Sequence, residues 1–360
     1  MADNGNEADE EMAKAIFISS DCWLCVFELL PTSQLGFGIA MISHRFDFYV
    51  DEHFKTRKRT LKFIQIRSKI GENGTKEMEI VNSSWKSLPT PQIQMPRKVS
   101  GFECIEINYI DQNAIAFLHH FRQLFAAYQI NLAIYTSTDR ISEFLLRTIW
   151  PKLGKNIYGI ELSVTFFRRL RPFAPSILND CPSLRFVFFY FDKLFTGFPC
   201  DDNAMASDGQ AVAKWLFTPL QNGVPKVFKC GLDTHDGNWS SNMEAFKAAF
   251  ASASSPVNFI SVFCIPLPFA ASVVPFDLTN EMTREQLALK RTADDNIRLF
   301  LLVRCPIARD ASKWAEWEEE AIGWRIYNRW NRIDIEIDDE RQIGDGLLDS
   351  TPGPSDQQQK

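Results

Sequence analysis

From Phe102 onward the chain alternates short strands with amphipathic helices, and no other feature limits its fold as tightly. Glu103-Cys104-Ile105-Glu106-Ile107-Asn108-Tyr109 reads as a strand with a helix behind it at Ala114–Ala127. The unit recurs as strand Ile130–Tyr135 with helix Ile141–Leu153, then strand Ile157–Val164 with helix Phe167–Asn179, broken by Pro172 and Pro175, then strand Leu184–Phe191. Helix Gln210–Leu220 precedes strand Lys226–Leu232, helix Met243–Ala253 precedes strand Val257–Ile265, and helix Glu281–Thr292 precedes strand Ile297–Cys305. Helix Ala311–Ile322 leads to a closing strand at Arg332–Ile337. Strand centres recur about every 26–42 residues. A parallel connection consumes a dozen or more residues, so this alternation predicts parallel strands with helical crossovers, an α/β fold. Ile105, Ile107 and Tyr109 share a strand side opposite polar neighbours, which predicts an open, curved sheet. A doubly wound domain is the competing arrangement.

The segment before this body reads differently. Residues 1–14 are acidic and polar and predict disorder. The 61–101 segment reads as a linker holding a β-hairpin, with Leu61–Arg67 and Met78–Val81 flanking a turn at Gly71–Gly74, before Pro89, Pro91 and Pro96 break regular structure. Residues 339–360 read as a disordered acidic and polar tail.

Within residues 15–60 the apolar positions are ordered. Ile18, Trp23, Val26, Phe27 and Leu30 are spaced for one face of a short helix that Pro31 stops; Leu35, Ile39 and Ile42 continue the pattern, followed by Arg45, Phe46 and Val50. This order resembles an F-box, whose pattern runs through an apolar–Pro pair, an acid, a Leu, an Ile-Phe pair, a Leu, an Asp-Leu step and a Ser-Arg-x-aromatic element. Ile18 matches the first apolar position, Asp21 the acid, Trp23 the Leu, Val26-Phe27 the pair, Leu30 the last apolar position and Leu35 the Asp-Leu step. Ser43-His44-Arg45-Phe46 fits the Ser-Arg-aromatic element with one inserted residue, and Asp51–Phe54 resembles its close. Ser19 stands where the family has Pro and Gln34 where it often has Asp.

The resemblance implies an N-terminal helical F-box followed by a leucine-rich-repeat-like β/α repeat domain at 102–338, with Asn179-Asp180-Cys181-Pro182-Ser183-Leu184 resembling the helix-to-strand junction of such repeats. Gln210–Leu216, Ser255–Ile260, Leu302–Ile307 and Lys313–Glu318, with the F-box region, resemble an expanded F-box family of plant-parasitic cyst nematodes. Family membership implies a non-catalytic substrate receptor of a Skp-cullin-F-box ubiquitin ligase. Its partners would be the Skp-type adaptor, the cullin scaffold and a target protein, and its adaptor-binding residues Ile18, Trp23, Val26, Phe27, Leu30, Leu35, Ile39, Ile42, Arg45 and Phe46. A helical unit of about 40 residues cannot cover its own apolar surface, so a second polypeptide or the rest of the chain must. The competing reading is an interaction scaffold whose helices pack internally.

Composition narrows the classes further. Among 360 residues the 30 Phe and 9 Trp demand a large packed core or a broad aromatic surface, and the net charge of −6 gives no global pull toward nucleic acid. Lys55–Lys62 is a local basic cluster, read as a solvated junction, an import signal or an anion-binding patch. There is no run of about 18 apolar residues to span a bilayer, and the eight scattered Cys read as reduced thiols of an intracellular protein, cytoplasmic or nuclear. Cys22-x-x-Cys25 has no second pair and reads as core packing rather than a metal site. His119-His120 on a helix and His235 between Asp233 and Asp236 in a turn mark no ligand set, and no catalytic or cofactor motif converges on a reacting centre. Trp314, Trp317, Trp324 and Trp330 read as core or a cap over the last strand, with an aromatic partner surface as the alternative.

Overall fold

Successive side chains of a strand point to opposite faces, and here both faces are buried in part. Leu132, Ile134, Val187, Phe189, Phe228, Phe263, Ile333 and Ile335 enter one apolar cluster, while Ala133, Phe186, Phe188, Val227, Ile260 and Val262 enter a second. The computed structural model describes residues 18–30, 35, 39, 42–56, 59–71, 75–82, 87–88, 99–121, 125, 128–231, 238–265, 270, 273–292, 299–344 and 346–348.

The strands are β1 (Arg59–Ile70), β2 (Lys76–Asn82), β3 (Ser87–Leu88), β4 (Val99–Ile107), β5 (Ile130–Thr136), β6 (Ile157–Leu162), β7 (Phe186–Lys193), β8 (Lys226–Gly231), β9 (Phe259–Cys264), β10 (Phe276–Asn280), β11 (Glu285–Arg291), β12 (Leu299–Pro306) and β13 (Arg332–Ile337). They form one open, mixed 13-stranded sheet in the order β10-β11-β12-β9-β8-β7-β6-β5-β13-β4-β1-β2-β3. From β5 to β9 neighbours in sequence are neighbours in space and parallel. The hairpin expected in the 61–101 segment belongs to this same sheet, because β1 pairs in parallel with β4.

Among the described residues the helices longer than a single turn are α1 (Ser20–Glu28), α2 (His44–Thr56), α3 (Gln112–His120), α4 (Asp139–Thr148), α5 (Val164–Leu170), α6 (Asp208–Leu216), α7 (Asn238–Ala251) and α8 (Ala311–Gly323). Polar caps fix where several begin: the Asp111 carboxylate accepts the Ala114 N–H at 2.8 Å, Ser163 accepts the Phe166 N–H at 3.0 Å, and Ser207 with Gln210 closes a capping box. Phe117 of α3, Phe144 of α4, Phe167 of α5, Trp215 of α6 and Phe246 of α7 all enter the first cluster, so these helices cover one face. Trp314 and Ala321 of α8 enter the second, and α8 covers the opposite face over β9.

Four expectations are corrected. Glu281–Thr292 is not a helix: it turns at Glu281–Arg284 and continues as β11, antiparallel to β10. Its Glu, Gln, Leu, Ala and Lys favour helix locally, but Leu287 and Leu289 bury with period two against β12, and Arg284 takes the left-handed backbone (φ 53°) that the tight turn requires. The closing strand does not end the repeat. β13 lies between β4 and β5, parallel to both, at a position clipped by Asn331 (φ 55°), whose N–H donates to Phe102 O at 2.7 Å and whose carbonyl accepts from the Asn131 N–H at 3.0 Å. A Cβ on Gly101 would sit 2.7 Å from Asn331 Oδ1, so the clip needs that glycine. The expected tail does not begin at 339: Ile343 bridges Ile110, and Leu347 and Leu348 are buried. Cys22 and Cys25 are exposed rather than in the core.

The expected disorder at 1–14, the turn residues 72–74, the prolines at 89, 91 and 96, the His235 turn and the tail beyond 348 lie outside the described residues. All eight cysteines are free thiols, and among the described residues no helix is long and apolar enough to cross a membrane.

Lys226, at the start of β8, is buried on the helical face; its Nζ donates to Trp215 O at 2.7 Å and lies 4.9 Å from the Trp215 ring centroid. Burial lowers its pKa from 10.5 to about 7. Between those values the native chain holds fewer protons than the unfolded one, so this lysine makes stability rise with pH through that window. Urea unfolding of wild type and Lys226→Met at pH 7 to 10 is expected to show wild type gaining on the variant by up to about 1.4 kcal/mol per pH unit. Buried Lys229 titrates in an overlapping range but is common to both proteins and cancels in the difference.

Candidate functional site

The N-terminal helices sort the expected adaptor-binding residues into two sets. Trp23 and Phe27 are one helical turn apart and face inward: Phe27 is wholly buried, and Trp23 meets Phe46 edge-on with centroids 4.8 Å apart. Leu35 and Val50 are also buried in the first cluster, with Leu30, Ile39 and Phe46 packed against it half-buried. Phe27 and Leu35 therefore lie inside the continuous apolar cluster and do not face a partner. Neighbouring helix positions point about 100° apart, so Val26 cannot share the Phe27 face. Val26 (42% exposed), Leu29 (85%), Ile42 (62%) and Phe48 (59%) remain open to solvent, as does Ile18. Arg45 is exposed and its Nε donates to the Tyr49 hydroxyl at 3.0 Å. Of the basic cluster, residues 57–58 lie outside the described residues and Lys62 is exposed.

A second site was not foreseen from the sequence. Strand register places Glu106, Asp334, Ala133, Glu161, Phe188, Lys229 and Val262 side by side in one row across β4, β13, β5, β6, β7, β8 and β9, on the face away from α3–α7. The small Ala133 leaves a gap between Asp334 and Glu161, and the segment Arg325–Tyr327 after α8 closes over it. The result is a cavity of about 510 Å³, with Tyr135, Phe188 and Tyr327 among its apolar walls.

Its charged groups are held by their own partners to different degrees. Asp334 Oδ2 pairs with Arg332 Nε at 3.0 Å, and burial, opposed by Arg332, raises its carboxyl to about 6. Glu161 accepts the Tyr135 hydroxyl at 2.7 Å, and burial raises its pKa. Lys229 Nζ donates to Ile322 O at 2.9 Å and Trp324 O at 3.3 Å, closing the carboxyl end of α8, and burial with the charge of Arg325 lowers it to about 8. Among the described residues Arg325 has no ion pair; its Nη1 makes one long bond, 3.3 Å, to Trp324 O. Trp324 anchors this wall, buried and stacked on Phe186 at an interplanar angle of 7°.

Comparison with protein-family models, curated proteins and solved structures returns no match to this chain. Its chemistry therefore rests on the residues alone. No group of three or more His, Cys, Asp or Glu fit to hold a metal occurs among the described residues. The buried thiols carry little thiolate: burial raises Cys104 and Cys181 to about 12 and raises Cys264 as well. His119 is exposed on α3, and Trp330 is exposed while Trp314 and Trp324 are core.

Proposed function

We propose that the chain is the substrate-recognition subunit of a Skp-cullin-F-box ubiquitin ligase, docking a Skp-type adaptor through the exposed side of α1 and α2 and a target protein through its β/α body. The observation that carries this reading is the division within the helical unit: Phe27, Leu35 and Val50 are buried, while the side chains of Val26, Leu29 and Ile42 are exposed. Exposed apolar residues gathered on one small unit are a cost unless a partner covers them. The ordered resemblance of residues 18–54 to an F-box names that partner. The succession β5 to β9 with its covering helices supports a leucine-rich-repeat-like body, into which β13 and the β10–β12 antiparallel strands have been added. Such a subunit has no reacting group of its own and acts by raising the local concentration of a target lysine near the charged conjugating enzyme.

The burial of Phe27 and Leu35 in an apolar cluster continuous with that of the body favours a second reading, a free-standing scaffold that recruits no ligase. Co-expression with a Skp-type adaptor, followed by affinity capture and size-exclusion chromatography, separates the two. A stable one-to-one complex is expected, and a full-length chain that elutes without adaptor supports the scaffold instead.

A further inference from the structure

The cavity on the sheet face away from α3–α7 has features that neither packing nor adaptor docking explains. Its volume of about 510 Å³ falls in the range of small-molecule sites, roughly 300–1,000 Å³. Arg332 and Asp334 neutralise each other, and Glu161 is already bonded to Tyr135. Two cations, Lys229 and Arg325, form no ion pair among the described residues, although the charge of Glu161 in the same wall reaches both and offsets part of theirs. Lys229 uses two of its three donors on backbone carbonyls, and Arg325 uses one of its five. Like charges held together in a partly desolvated space are unfavourable until an anion enters between them. Phe188, Tyr135, Ala133 and Ile326 make the rest of the wall apolar or aromatic, and exposed Tyr327 stands at the rim.

We propose that this cavity binds a small organic acid with a flat apolar body, its carboxylate held by Arg325 and Lys229 and its body lying against Phe188, Tyr135 and Tyr327. Arg325 offers a planar fork to the two carboxylate oxygens, and Lys229 supplies its remaining N–H. A cation of the same shape seated with its charge between Arg325 and Lys229 would meet two positive groups, so that point selects for an anion. The site is independent of the adaptor reading, since its residues lie on β5–β9, β13 and the segment after α8 rather than on α1 and α2.

The test uses the full chain and fluorine NMR of para-fluorobenzoate, with para-fluorobenzylamine as the probe of opposite charge. The benzoate resonance is expected to broaden with wild type and the benzylamine resonance to stay sharp. Arg325→Gln is expected to weaken benzoate binding at least about tenfold, the loss that follows when a charge-assisted hydrogen-bond donor to a carboxylate is removed. Tyr327→Ala changes an exposed rim residue without opening the core and is expected to weaken binding about threefold with an unchanged thermal melt. It keeps the test decisive if Arg325→Gln alters the fold. Equal broadening of the two probes, no broadening of the benzoate at about 10 mM probe, or undiminished binding in both variants overturns the proposal.

Discussion

Glu285→Ala is expected to lower the unfolding free energy by about 3–5 kcal/mol, because it strands a buried guanidinium. Glu285 on β11 and Arg304 on β12 are both wholly buried, with Arg304 Nη2 2.6 Å from Glu285 Oε2. The other carboxylate oxygen accepts the Val257 N–H at 2.7 Å, and Arg304 also donates to Ser255 O at 3.1 Å. The guanidinium lies 5.4 Å from the Phe217 ring and 5.2 Å from that of Phe250. One ion pair thus ties the antiparallel strands, the loop before β9 and the ends of α6 and α7 together. Removing the carboxylate leaves a charge in aromatic surroundings with no counter-ion. Replacing both partners, Glu285→Leu with Arg304→Met, removes the stranded charge and is expected to recover all but about 1–2 kcal/mol, the cost of leaving the Val257 N–H without an acceptor. Urea unfolding of the single and double variants measures both. Equal losses in the two would mean that the pair does not carry the effect.

Val26→Asp combined with Ile42→Asp is expected to abolish adaptor capture, a loss of at least about a hundredfold in affinity, or about 3 kcal/mol. Each change would place a carboxylate in an apolar contact where neither water nor a cation can reach it. Both residues are exposed in the free chain, so the urea midpoint is expected to move little. Phe27→Asp is a different experiment. Phe27 is wholly buried, so that variant places a carboxylate in an apolar cluster and its effect on capture would report folding. Retention of adaptor by the Val26/Ile42 variant, as judged by co-elution, would refute docking through this side.

Much of the body was legible in the residues, because strands such as Ile130–Thr136 and Lys226–Gly231 sit between helices with clear apolar faces. The Glu281–Thr292 segment was misread because local helix propensity and strand burial disagree there, and only the neighbouring β12 decides between them. In the helical unit the apolar positions could be found, but whether Val26 or Phe27 faces outward depends on where the body lies, which the local spacing does not contain. The cavity left one trace, Lys229 inside an otherwise apolar strand. Its carbonyl partners, Ile322 and Trp324, lie about 93–95 positions further along the chain, whereas Lys226 in the same strand turns to Trp215 on the opposite face. The row that brings Asp334 beside Ala133 and Glu161 exists only because β13 inserts between β4 and β5.

That insertion also governs how the protein can be made. During synthesis β4 and β5 emerge more than 190 residues before β13, since Thr136 precedes Arg332 by 196 positions (332 − 136). Until then each presents an unpaired strand border in what will become the centre of the molecule. The nascent polypeptide must keep these borders from pairing with other copies, so premature termination before Arg332 should yield material that aggregates rather than a shortened soluble protein.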